Sequence, residues 1–109
     1  MQMAWTVEFL DENVADELRR LPLDVRSSFE RIVRLIESAG LEQVHEPYIK
    51  HIEGRIWEMR LKGKDGIARA LYVTAIGRRV VVVRVFVKKT RKTPRREIAL
   101  AVRRAKEVT

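Results

Sequence analysis

A chain of 109 residues, 46% hydrophobic and 35% charged, has the length of one compact domain and too much apolar content for a disordered segment. It contains no cysteine, which excludes disulfides and thiolate metal sites; no apolar run approaches the roughly 20 residues that span a bilayer, and Met1 to Asp11 lack a basic start followed by an apolar core, so a soluble, cytoplasmic protein is expected. The net charge of +8 is unevenly placed, with 6 Lys/Arg against 11 Asp/Glu in residues 1–54 and 17 against 4 in residues 55–109.

Such a basic half attracts a polyanion, of which nucleic acid is the commonest; the plain alternative is a solvated basic surface. Ala4 to Leu10 alternates, with Trp5, Val7 and Phe9 on one face, and predicts a strand half buried against a core. Asp11 then caps a short helix carrying Val14, Leu18 and Leu21 at helical spacing and ending at Pro22. A second helix places Val25, Phe29, Ile32, Val33 and Ile36 in one stripe and stops at Gly40. Glu42 to Gly54 shows no regular pattern. Ile56 to Leu61 predicts a strand with Trp57, Met59 and Leu61 toward the core and Glu58 and Arg60 on the opposite face. Gly63 to Gly66 is a hairpin turn, Ile67 to Ile76 a strand, Gly77-Arg78 a second turn, and Val80 to Val87 a valine-rich strand with both faces covered. Thr93-Pro94 reads as an N-cap and first helical residue before a helix with Ile98, Ala101, Val102 and Ala105 on one face. The predicted order is β-α-α-β-β-β-α, an α+β domain over residues 1–109.

Three strands of this pattern display charge. Glu58 and Arg60 share one face; Arg69 is set between apolar neighbours; Arg84, Phe86 and Lys88 share a face that runs on into Lys89, Arg91 and Lys92. An aromatic flanked by bases is a composition that stacks an RNA base and holds its backbone. Each piece also has a structural reading: Glu58 and Arg60 in cross-strand or diagonal ion pairs, Phe86 as core, and Lys88 to Lys92 as a solvated loop. His45 and His51, with no cysteine and no carboxylate cluster, make a weak metal site. Neither a glycine-rich phosphate loop nor a nucleophile elbow is present, so no cofactor is expected.

The residues carry a family resemblance over nearly the whole chain. Gly54-Arg55-Ile56-Trp57-Glu58-Met59-Arg60 resembles the G-l-W-E-l-R element of Gp49-like HigB toxins, and Ala68-Arg69-Ala70-Leu71-Tyr72 resembles their following strand. Phe86 to Pro94 is similar to F-x-K-K-t-x-K-T-P, and Glu97-Ile98 with Ala101 and Arg104 to E-I-x-x-A-x-x-R. The resemblance to this branch of the RelE/HigB superfamily implies a RelE-like fold, a small antiparallel sheet packed against a helical hairpin and a C-terminal helix. It also implies an endoribonuclease toxin that cuts mRNA on the ribosome and is held by a cognate antitoxin, often a helix-turn-helix protein. On that reading Glu58 is the base; Arg60 and Arg69 stabilise the phosphate; Lys88 or Lys89 holds it or assists the leaving group. Arg84, Phe86, Arg91, Lys92 and Arg95 bind RNA. Some superfamily members carry a late histidine or tyrosine as the acid. This chain has neither after Tyr72, so proton donation falls to a lysine, an arginine or the ribosome. A non-catalytic nucleic-acid-binding module and a phage-derived interaction protein remain the competing readings.

Overall fold

The structure, a computed structural model, describes residues 4–109; Met1 to Met3, part of the segment read above as carrying no leader, lie outside the described residues. The chain runs β1 (Thr6–Phe9), α1 (Glu12–Arg19), α2 (Leu23–Ala39), a short 3-10 turn (Leu41–Gln43), β2 (Ile49–Glu53), β3 (Ile56–Gly63), β4 (Gly66–Ala75), β5 (Arg79–Lys88) and α3 (Arg95–Ala105). The strands form one sheet in the order β1-β5-β4-β3-β2, with β1 parallel to β5 and the other neighbours antiparallel. Asp11 caps α1 as its spacing predicts, its carboxylate accepting the Val14 amide at 3.0 Å. Gly40 ends α2 with φ 95°, a backbone conformation that a side chain would strain. Gly77 and Arg78, both at positive φ, turn β4 into β5 with the hand that matches strand twist. No helix is long and apolar enough to cross a membrane among the described residues.

Helices pack on both faces of the sheet. Met59, Leu61, Ala68, Ala70, Tyr72, Val80, Val82 and Val85 pack with Val14, Val25, Phe29, Ile32 and Ile36 of the helical hairpin. On the other face Ile56, Leu71, Val73, Val81, Val83 and Phe86 meet Ala101 and Ala105 of α3. β5 changes side partway along. Leu71 pairs with Arg84 but Tyr72 pairs with Val82, so Val83 is an extra residue, a β-bulge that resets the alternation. Val80 and Val82 face α2, yet Arg84 and Phe86 face α3. Without the extra residue, Arg84, Phe86 and Lys88 would point into the helical-hairpin core.

The bulge is held by charge. The Val85 amide donates to Glu17 Oε1 at 3.0 Å, and the Val83 carbonyl accepts from Arg104 Nη1 at 2.8 Å. Glu17 Oε2 lies 2.9 Å from both Arg84 Nη1 and Arg104 Nη1, while Glu97 takes Arg84 Nε at 2.7 Å. Two carboxylates and two guanidiniums thus tie α1 and α3 to the bulge, and the Glu97 bond, followed by Glu17, strengthens proton binding by Arg84.

Three expectations are corrected. The patternless stretch contains β2, an edge strand in which Ile49 is buried and Ile52 half-buried; with a single neighbour, it needs no two-faced hydrophobic alternation. Trp57 is 37% exposed, not core, because it lies beside that edge with its ring 4.8 Å from His51. Thr93 does not cap α3: the cap position is Pro94, and the threonine hydroxyl is used elsewhere. Removing one carboxylate of this partly buried charge cluster weakens the hydrogen bonding of two guanidiniums and the Val85 amide, so Glu17→Gln is expected to lower unfolding free energy by about 2 kcal/mol in urea denaturation. The exposed Glu12→Gln should leave the midpoint unchanged.

Candidate nucleic-acid cleft

The α3 face of the sheet is only partly covered, and its open end forms a cleft. β3, β4 and β5 put Arg60, Arg69 and Phe86 in one cross-strand row; a second row runs Lys50, Glu58, Leu71, Arg84. Glu58 and Arg69 are each 5% exposed. Arg69 Nε stands 3.1 Å from Glu58 Oε1, and the Thr93 hydroxyl donates to that same oxygen at 2.9 Å. Among the described residues no donor meets Glu58 Oε2. The guanidinium is under-satisfied: neither Arg69 Nε nor Nη1 has a hydrogen-bond acceptor although both are buried. Buried cationic donors without acceptors are costly, and a ligand supplying oxygens would remove that cost.

The surrounding walls are cationic. Arg60, Lys88, Lys89 and Arg91 line a cleft of about 820 Å³ with Lys50, Glu58 and Arg69, closed at one side by Glu46 and Pro47. Arg60 lies directly opposite Arg69, an arrangement of like charges that destabilises a sheet. Burial lowers the proton affinity of Arg69; Glu58 opposes this and Arg60 adds to it. Burial likewise lowers that of Lys88, with Arg69 the next cause and Arg60 and Lys50 reinforcing it against Glu58. A cluster that makes a lysine a better proton donor, around a guanidinium with free N–H groups, is suited to binding and protonating an oxyanion.

Of the residues singled out from sequence, Glu58, Arg60, Arg69, Lys88, Lys89 and Arg91 converge here. Glu58 forms the diagonal cross-strand ion pair of its structural reading, with Arg69 as the partner that register places across from it. Phe86 is buried at 7% exposure with the Arg84 guanidinium 5.8 Å from its ring centre. Arg84 is engaged by Glu17 and Glu97 at the bulge. Lys92 is exposed outside the cleft walls, its carbonyl accepting from the Thr90 hydroxyl at 2.7 Å. Arg95 pairs with Glu53 at 2.6 Å on the β2 side. Sequence reasoning missed Thr93 as a Glu58 ligand and Lys50 as a wall cation; the first looked like a helix cap, and the second lay on an unrecognised strand. Neither histidine joins a cluster of potential metal ligands among the described residues.

The chain matches the family model described as phage derived protein Gp49-like (DUF891) over residues 16–106. No curated protein matches it. Among solved structures it is similar to a chain of the crystal structure of the archaeal RelE-RelB complex from Pyrococcus horikoshii OT3. The TM-score is 0.62 at 16% identity, covering 80% of this chain and 98% of that one. The fold is therefore RelE-like. If Glu58 and Arg69 depend on each other, Arg69→Met alone should cost about 3 kcal/mol, and adding Glu58→Leu should restore most of it. Urea titration of the two singles and the double measures this coupling; additive effects would show that the pair is not coupled.

Proposed function

The chain belongs to the phage-derived Gp49-like family, and on that footing we propose that it is the toxin of a toxin–antitoxin pair, an endoribonuclease that cuts mRNA on the ribosome. The observation that carries this reading is the buried Glu58–Arg69 pair, with its unused guanidinium N–H groups, at the floor of a cationic cleft. The RelE-like fold supports it, as does the RelE-RelB complex in which the similar chain was solved, which favours an antitoxin as the natural partner.

In this reading Glu58, held through Oε1 by Arg69 and Thr93, offers Oε2 as general base to a ribose 2′-hydroxyl. The 2′-oxygen attacks the adjacent phosphorus and the bond to the 5′-oxygen breaks, giving a 2′,3′-cyclic phosphate. Arg69 Nη1 and Arg60 stabilise the charge that builds on the phosphoryl oxygens. Lys88, its proton loosened by burial and by Arg69, donates to the departing 5′-oxygen, which leaves as a hydroxyl. The proton donation that the family resemblance assigns to a late histidine or tyrosine in some superfamily members falls here to that lysine. Lys89 and Arg91 hold the flanking backbone at the rim, and exposed Lys92 and Arg95 reach ribosomal or messenger RNA. Phe86 supports Arg69 from the neighbouring strand rather than offering an open stacking face.

Loss of a general base removes about 10²–10⁴ of rate, so Glu58→Gln should abolish growth arrest and the new transcript 5′ ends that wild-type expression produces. Wild-type expression without arrest or new ends contradicts the proposal. Lys88 must be protonated to act, and its proton affinity is lowered. The alkaline limb of cleavage in a ribosome-containing assay should therefore lie below the ordinary lysine value of 10.5. Arg60→Gln removes a repelling charge and should move that limb to higher pH, even as the maximal rate falls.

A further inference from the structure

A second groove opens from the same cleft on the other side of Arg60. It lies between α2 and the start of β2, has a volume of about 730 Å³, and shares Pro47 and Arg60 with the cleft. Its floor is apolar, with Ile32, Leu35 and Tyr48; Leu35 is 40% and Tyr48 48% exposed. Its rim is cationic: Arg31, Arg34, Arg60 and Lys62 line it, and no carboxylate does. Arg31 and Arg34 stand one turn apart on α2, which places them on the same side of that helix. Among the described residues none of these four cations has a carboxylate at ion-pair distance. Arg31 instead donates to the Ser28 hydroxyl at 3.0 Å, and the Arg60 amide donates to the Tyr48 carbonyl at 2.8 Å, which ties the ring's backbone to the wall shared with the cleft.

We propose that this groove is a subsite for single-stranded RNA, carrying the strand onward from the cleft. Tyr48 and Leu35 form the platform on which bases rest, and Arg31, Arg34 and Lys62 take the phosphates that follow the one at Arg60. The proposal rests on the ribonuclease reading for the direction of the strand. Two features select RNA over an acidic protein segment. The groove adjoins the cationic cleft through a shared arginine, and an exposed phenol ring among unpaired cations is an arrangement that holds unpaired nucleotides.

The test is fluorescence anisotropy with labelled oligouridylates of about four and about ten nucleotides, on full-length protein carrying Glu58→Gln so that bound RNA stays intact. The longer strand should bind more tightly. Adding Tyr48→Ala and Arg34→Glu should weaken the longer strand about tenfold or more while leaving the shorter one, confined to the cleft, unchanged. Tyr48→Phe, which keeps the ring, should retain the affinity, and unchanged thermal melting of each variant establishes that folding is intact. Equal affinity for both lengths, or a longer strand indifferent to both substitutions, overturns the proposal. So does an acidic leucine–glutamate peptide whose binding, in place of the RNA's, depends on Tyr48 and Arg34. Transcript ends in cells judge the nuclease reading separately: length-dependent RNA binding through Tyr48 without cleavage would sink that reading and leave the subsite standing.

Discussion

The structure depends on one extra residue in β5. Val83 interrupts the alternation of the strand and turns Arg84, Phe86 and Lys88 from the face covered by α2 to the face where Glu58 and Arg69 lie. A bulge breaks ladder bonding, and the backbone groups beside it are taken up by side chains: Glu17 accepts from the Val85 amide and Arg104 donates to the Val83 carbonyl. Because Glu17 sits on α1 and Arg104 and Glu97 on α3, the charge cluster that stabilises the bulge also docks both helices. Glu97 and Arg104 thereby act at a distance from the cleft. They fix which way β5 faces.

The cleft shows the opposite economy. Arg60 opposite Arg69, Lys88 nearby with its proton affinity lowered, and buried guanidinium N–H groups without acceptors are unfavourable for the folded chain alone. Glu58 offsets part of this. A bound phosphodiester would supply the missing oxygens and the missing negative charge.

Much of the fold was legible in the sequence because it rests on periodicity. The stripe from Val25 to Ile36, the cap at Asp11, the two hairpin turns and the valine strand all follow from spacing. β2 was not legible. His51, Glu53 and Lys50 carry no alternating pattern, and the strand exists through pairing with β3 at an edge. The bulge was equally hidden, since the unbroken valine run from Val80 to Val83 gives no sign of a changed face. In the site, the convergence of Glu58, Arg60, Arg69 and Lys88 could be anticipated from strand alternation and resemblance. The Glu58–Arg69 pairing needed the register, and the role of Thr93 needed the fold of the loop, because its position before Pro94 looks from sequence like a cap. Arg84, a plausible RNA contact by composition, is drawn inward by two carboxylates that lie 67 and 13 residues away in the chain.

The central claim is that Glu58 activates a ribose hydroxyl while the cationic cleft holds the adjacent phosphate. The chemical identity of the cut ends tests it most directly. RNA cleaved by the purified protein in the presence of ribosomes should carry a 2′,3′-cyclic phosphate or its opened 3′-phosphate on one fragment and a 5′-hydroxyl on the other, and a single 2′-deoxy nucleotide at the cut position should block the reaction. Fragments ending in a 3′-hydroxyl and a 5′-phosphate, or cleavage that proceeds at the deoxy position, would contradict it.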